Sequence, residues 1–274
     1  LMQLGCASVF CESLNSLLAG TIHYGPDENG ETTHEERINS GCFKKKKISF
    51  SLPQQDIRLY GGAQLNRLII EFEYFAHAIE IPELSENEII SSFGTNIQRK
   101  NKENVVADIV KVKSISCFAP LLEELIIRCI HVFKLMFQLA FEEIKSCISI
   151  EETNQICEFS SSFLEEQISH FKKKMYVQIQ ALTGTIDWNF VEDFSNAFGS
   201  SRTCQDPDSD DSVGELGSQE KIANEIEKVR HMVRKVFASI RLLFVKILRL
   251  NFFRIVVEPF FDTFQNSLLS FLAS

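Results

Sequence analysis

Near the C-terminus, Ile222, Ile226, Val229, Val233, Val236, Ile240, Leu243, Ile247 and Leu250 follow one another at alternating intervals of four and three residues. That spacing sets every one of them on a single stripe of a helix about 30 residues long. Arg230, Arg234, Lys235, Arg241, Lys246 and Arg249 are left outside the stripe. An apolar stripe of this length must be buried against other helices, so the chain is expected to be all-α, built from long packed helices.

The rest of the chain agrees with that expectation. Pro120 to Ile148 and Glu151 to Leu182 both carry apolar residues at i, i+3 and i+4, which predicts two antiparallel helices of about 45 Å. Residues 1 to 19 read as a helix that stops at Gly20, and a second helix opens at Tyr60-Gly61-Gly62 and runs to His77. Ile81 to Ser92 reads as a shorter helix, with Ser85 and Glu88 in capping-box spacing. Six prolines and twelve glycines in 274 residues leave long stretches uninterrupted, and 24 phenylalanines against one tryptophan supply filler for helix interfaces without demanding polar partners.

Between these helices lie segments whose composition reads as loop. A polar stretch passes through Gly25-Pro26-Asp27 and the acidic residues to Glu36, then Gly41 and the run Lys44, Lys45, Lys46, Lys47. It is expected to bury no core. Gly94 to Lys102 reads as a basic loop. Residues 199 to 220 form an acidic linker expected to be disordered, and Pro259 is expected to close the heptad helix before a short apolar return.

Charge narrows the function classes. A formal net charge of −9 argues against nucleic acid as a partner. From Glu220 to Arg254, however, basic residues outnumber acidic ones three to one, a local surface suited to acidic lipid headgroups or an acidic partner, as is the lysine run. Eight cysteines form no CxxC pair and no zinc spacing; they read as small buried hydrophobes in a reducing compartment, with the cytosol as the natural inference. The most apolar stretch, Val236 to Val257, carries four basic residues and is not expected to cross a membrane. Leu1 falls in what reads as mid-helix without a basic leader, so the chain is expected to be a fragment rather than to begin with a signal peptide.

Catalytic and metal patterns are weak. The six histidines are scattered, and Glu123-Glu124, Glu142-Glu143 and Glu165-Glu166 fall on polar helix faces. There is no GxxxxGK[ST] loop to cradle phosphates, so this chain alone is not expected to hydrolyse a nucleotide.

Leu59-Tyr60-Gly61-Gly62-Ala63-Gln64-Leu65-Asn66-Arg67-Leu68-Ile69 resembles the "SGGARINRIF" signature that opens the central stalk helices of the dynamin superfamily of large GTPases. Val105 to Ile109 is similar to the family's "FETIVKKQI", and the helix around Leu122 to Glu143 to its "EPCLKCVDMVISEL", with Pro120, Leu121 and Cys129 in corresponding places. Phe10 to Gly20 looks like the preceding stalk helix, and Ile222 to Leu272 like the GTPase effector domain. The sequence departs at Tyr60 and Gln64, where the family has serine and arginine, and at Asn101 to Asn104.

The resemblance implies an elongated antiparallel helical bundle, with a stalk over 1–198 interrupted by a loop at 21–57. The linker at 199–220 follows, and an effector region over 221–274 has its heptad helix packing back on the bundle. It implies a self-assembling part, dimer to filament, of a cytoplasmic GTPase peripheral to an organelle or division-site membrane and attached through an adaptor or through Lys44 to Lys47. GTP and Mg would belong to a separate GTPase head, and this chain is expected to hold no cofactor. Assembly contacts are expected at Gly61, Gly62, Asn66, Arg67, Gly94 and Arg99 and along Ile226, Val233, Ile240 and Ile247. The alternatives are a coiled-coil adaptor or tether and a helical-bundle enzyme or ligand carrier.

Overall fold

The computed structural model describes residues 2–20, 29–43, 57–81, 83–93, 102–184, 186, 191 and 218–273. The helices are α1 (Met2–Ala19), α2 (Thr33–Ser40), α3 (Gly61–His77), α4 (Glu86–Phe93), α5 (Lys102–Ile144), α6 (Ile150–Gly184), α7 (Ser218–Phe252), α8 (Glu258–Asp262) and α9 (Phe264–Ala273), with a π-helical turn at Phe253–Val257 between α7 and α8. Among the described residues the one extended pairing is an isolated antiparallel bridge between Glu31 and Leu59. The chain is an all-α helical bundle. Residues 199–217 of the expected linker, 94–101 of the expected basic loop and the lysine run 44–47 lie outside the described residues, and residues 218–220, expected to end the linker, already belong to α7.

Two compact units interleave along the chain. One comprises Leu1–Ala78, Phe118–Tyr176 and Val245–Ser274; the other comprises Ile79–Cys117 and Val177–Phe244. In the first, phenylalanines from five helices fill the core: Phe10 of α1 lies 4.6 Å from Phe141 of α5 and 6.3 Å from Phe264 of α9. Phe260 of α8 lies 4.7 Å from Phe133 of α5 and 5.1 Å from Phe163 of α6. Rings at these spacings gain edge and offset contacts beyond the area they bury. In the second unit, Ile89 and Phe93 of α4, Val105, Val106 and Val110 of α5, and Val229, Val233 and Val236 of α7 are buried.

α7 packs back on the bundle. Arg249 pairs with Glu73 of α3 at 3.0 Å, and Phe252 meets Phe171 of α6 edge-on at 5.8 Å. Earlier in the helix, Arg241 donates to the carbonyl of Ile79, and Glu225 pairs with Lys102 at the start of α5.

Three sequence expectations need correction. The apolar stripe holds its register from Ile226 to Ile240 and then drifts: Phe244, Leu248 and Phe252 are buried, Leu243 and Ile247 are half-buried, and Leu250 is 71% exposed. A straight α-helix turns by 3.6 residues, so a strict heptad rotates about 20° per repeat away from its seam unless the helices supercoil. α5 begins at Lys102, not Pro120, and carries that proline inside it. Pro120 and Ser116, whose carbonyl loses its i+4 donor, are both exposed, so water can satisfy the lost bond. Pro259 likewise does not end the helical run. It sits in the first turn of α8, where a proline N–H is not needed, and the widened π-turn before it, closed by Glu258 N–H to Phe253 O, makes room for its ring.

Three helices start in capping boxes: Thr32 with Glu35, Ser85 with Glu88, and Ser149 with Glu152. The backbone N–H of Thr32 holds the Glu35 carboxyl below the usual range, as that of Ser149 does for Glu152. For Glu88 the Lys113 hydrogen bond leads and the Ser85 backbone N–H adds to it. A carboxylate lowered in the folded state contributes stability above its ordinary range and loses it as pH falls through the folded value.

Two predictions follow from burial and capping. Ile240→Asp should lower unfolding stability in urea by at least about 3 kcal/mol, because it buries an unpaired charge, while Leu250→Asp should stay within about 0.5 kcal/mol. Equal losses would mean that the strict heptad seam is buried after all. Glu152→Gln should flatten the fall in thermal midpoint between neutral pH and about pH 3, because the amide cannot be protonated away; a fall as steep as that of the parent would exclude this cap as a source of acid sensitivity.

Candidate assembly site and its ion-pair clasp

The glycine pair that opens α3 is a backbone contact. Gly61 has φ +58, and a Cβ built on it would lie 2.3 Å from the carbonyl oxygen of Leu17; one on Gly62 would lie 1.9 Å from that of Leu18. The first turn of α3 thus rests directly on the last turn of α1, and any side chain at either position would drive the two helices apart. Gly20, at φ +73, ends α1 and returns its N–H to the same Leu17 carbonyl at 3.3 Å.

From that junction α3 presents Gln64, Arg67 and Glu71 to the segment from Gly30 to Phe43. This is the acidic stretch that composition marks as a loop unable to bury a core. Instead Thr32 caps α2, and Glu36 is fully buried. The neck of the excursion is closed by the Glu31–Leu59 bridge, with N···O distances of 3.0 and 2.9 Å, and by Arg58, which donates to the carbonyl of Gly30 and to Glu35.

Arg128 of α5 is the centre of the cluster. It is 1% exposed and its Nη2 donates to Glu36 Oε1 at 2.6 Å and to Glu71 Oε2 at 2.9 Å. Arg67 takes the other oxygen of Glu36 at 2.6 Å, and Arg37 approaches Glu71 Oε1 through Nε and Nη2 at 3.0 and 2.8 Å. The ring of Phe43 lies 4.6 Å from the Arg128 guanidinium carbon. It covers a cation whose Nε and Nη1 have no hydrogen-bond partner among the described residues. Beside this, Glu31 accepts from Gln64 at 2.6 Å and Asn39 at 2.8 Å, and His131 Nε2 lies 3.0 Å from it. Glu31, Glu35, Glu36 and Glu71 gather beside Arg37, Arg58, Arg67 and Arg128, so the two nearly inaccessible carboxylates, Glu36 and Glu71, each meet two guanidinium groups.

The arrangement holds charges in fixed pairs. Glu123 is similarly engaged: Lys172 and Tyr176 of α6 both donate to it, which raises the Lys172 ammonium, and burial followed by that same bond raises the Tyr176 hydroxyl. Among the described residues no three histidine, cysteine or acidic side chains are grouped to hold a metal ion.

The expected assembly and membrane-contact residues fall into four groups. Gly61, Gly62 and Arg67 are occupied in contacts within the chain, as just described. Ile226, Val233 and Ile240 are 5%, 0% and 4% exposed, so their apolar surface is consumed within this chain, and Ile247 is half-buried. Asn66 is exposed on α3. Gly94, Arg99 and Lys44, Lys45, Lys46 and Lys47 lie outside the described residues. Sequence reasoning missed Glu36, Glu71 and Arg128 altogether; the Thr32-x-x-Glu35 capping box was the one local signal that a helix starts inside the acidic stretch.

Comparison with known proteins gives consistent relatives. Dynamin-like protein C of Dictyostelium discoideum is 26% identical over 197 residues, 67% of this chain and 22% of that protein. Dynamin-like protein ARC5 of Arabidopsis thaliana is 26% identical over 209 residues, 70% of this chain and 27% of that protein. The chain is similar to one region of dynamin-superfamily proteins. Dynamin-related protein 5A of Arabidopsis thaliana is 31% identical over 134 residues, 47% of the chain. This dynamin-related region therefore spans only about a quarter of the length of such relatives, 22% and 27% for the first two. No family model matches it, and no solved structure does. No helix among its described residues is long and apolar enough to cross a membrane.

Removing the central cation should be severe. Arg128→Met leaves Glu36 and Glu71 buried with one guanidinium each and should cost about 3–5 kcal/mol in chemical denaturation. A double-mutant cycle with Glu36→Gln should return a coupling above about 1 kcal/mol; additive losses would mean the two groups do not interact energetically.

Proposed function

We propose that this dynamin-related chain is the self-assembling stalk and effector region of a GTPase acting in membrane fission, in organelle division or cytokinesis. In this reading residues 1–198 form the stalk, 199–220 a linker and 221–274 the effector segment that returns to complete the bundle. The observation that supports it most directly is the order of parts. A glycine-initiated helix seated on the end of the preceding helix, two long antiparallel helices and a long returning helix are arranged in a sequence related to dynamin-like proteins over 67% and 70% of its length.

The chain supplies geometry, and the chemistry belongs to a GTPase head that binds GTP and Mg outside the residues described here. Isologous contact makes a dimer, and repetition of a second contact extends it into a filament. Asn66, Gly94 and Arg99 are the residues proposed to touch neighbouring copies. Gly61, Gly62, Arg67 and the α7 stripe act by fixing the helices that carry those contacts. Attachment to the membrane runs through an adaptor or through Lys44 to Lys47, whose ammonium groups suit anionic headgroups.

Sedimentation velocity of the purified chain across concentration and salt tests the reading. Dimers that grow into larger species as salt falls, and that shrink in an Arg99→Glu variant, are the expected result. A monomer indifferent to both would remove self-assembly and leave a tether or adaptor as the better description.

A further inference from the structure

The first compact unit contains a thiol contact between two residues far apart in sequence. Cys6 of α1 and Cys147, in the turn at 145–149 between α5 and α6, are 141 residues apart in sequence, yet the Cys6 thiol donates to the Cys147 carbonyl oxygen at 3.6 Å. A carbonyl oxygen lies about 3 Å from the Cβ of its own residue, so the Cys6 sulfur is within about 7 Å of Cys147 Cβ. We propose that Cys6 and Cys147 form a redox-modification site at which a small-molecule disulfide such as oxidised glutathione drives closure of an intramolecular disulfide, tying α1 to the α5–α6 turn.

The two cysteines have complementary settings. Cys147 is exposed, its sulfur 3.5 Å from the Ser146 hydroxyl, and so is open to a solution oxidant. Cys6 is 8% exposed and held against the turn, placed to attack what forms on Cys147. A disulfide requires Cβ atoms about 3.8 Å apart. The final approach is taken up by the turn, whose backbone is tied locally by Cys147 N–H to Ile144 O at 2.9 Å but is not locked in a helix. Burial pushes the Cys11 thiol up to about 12 and also raises Cys129, Cys117 and Cys157, which disfavours the thiolate at those four positions.

The exchange balances in two steps. The Cys147 thiolate attacks one sulfur of oxidised glutathione, forming a mixed disulfide and expelling a glutathione thiolate. The Cys6 thiolate then attacks the Cys147 sulfur, forming the Cys6–Cys147 bond and expelling the second glutathione thiolate. The two protons lost by the cysteines end on the two glutathione molecules. Two protein thiols are oxidised and one glutathione disulfide is reduced. In a reducing compartment the bond is reversible, so the site reports oxidant exposure.

The test treats the whole native chain with oxidised glutathione, alkylates the remaining thiols and maps linked peptides by mass spectrometry. The expected result is a Cys6–Cys147 link that disappears in Cys147→Ser and in Cys6→Ser and persists in Cys11→Ser and Cys157→Ser. It should raise the thermal midpoint reversibly with dithiothreitol. Because Cys147 is exposed, Cys147→Ser should melt like the reduced parent, which separates loss of the link from loss of the fold. A stable glutathione adduct on Cys147 with Cys6 still free, no reaction at either thiol, or a Cys6 link that survives Cys147→Ser would each overturn the proposal.

Discussion

A guanidinium with almost no access to water is the constraint around which the first compact unit is organised. Arg128 sits midway along α5, where an apolar residue would otherwise continue the buried face, and its charge is tolerable only because Glu36 and Glu71 arrive from two other elements. Removing either carboxylate leaves an unbalanced charge, so α2, α3 and α5 are mutually dependent. A short helix of eight residues with little apolar surface of its own, α2, is thereby fixed in place by charge rather than by hydrophobic area.

That dependence has a directional character that aromatic packing lacks. The phenylalanine contacts between α1, α5, α6, α8 and α9 reward proximity and accept a range of ring angles, from 30° for Phe133–Phe260 to 74° for Phe163–Phe260. The paired contacts of Arg37 with Glu71 and the shared carboxylate of Glu36 accept one register. Fat contacts therefore hold the bundle closed while the ionic cluster specifies how α2 and α3 lie on α5.

What the sequence reveals and hides divides along the same line. Periodic apolar residues announce α5, α6 and α7, because helix amphipathicity is written in neighbours three and four apart, and Ser85 with Glu88 announces α4 for the same local reason. Arg67 was singled out from its motif, but its partner could not be. Glu36 is 31 residues from Arg67 and 92 from Arg128, and no local pattern couples residues at that separation. An acidic stretch reads as solvated until the cations that neutralise it are known to be near. The α7 register departs for a different reason: the heptad reads as continuous, whereas the 3.6-residue turn of an α-helix carries Leu250 out of the seam and brings Phe244 and Leu248 into it.

The junction of α1 with α3 has an electrostatic consequence of its own. The last carbonyls of a helix carry its negative end and the first turn of a helix its positive one, so seating Gly61 and Gly62 on the oxygens of Leu17 and Leu18 brings opposite ends of two macrodipoles together. Where a side chain would collide, each glycine instead brings a Cα hydrogen to a carbonyl in the last turn of α1, a weak donor beside acceptors with room for a second partner. Two helices separated by 41 residues of sequence, between Ala19 and Gly61, are in this way joined through backbone atoms, a contact out of reach of side-chain repacking.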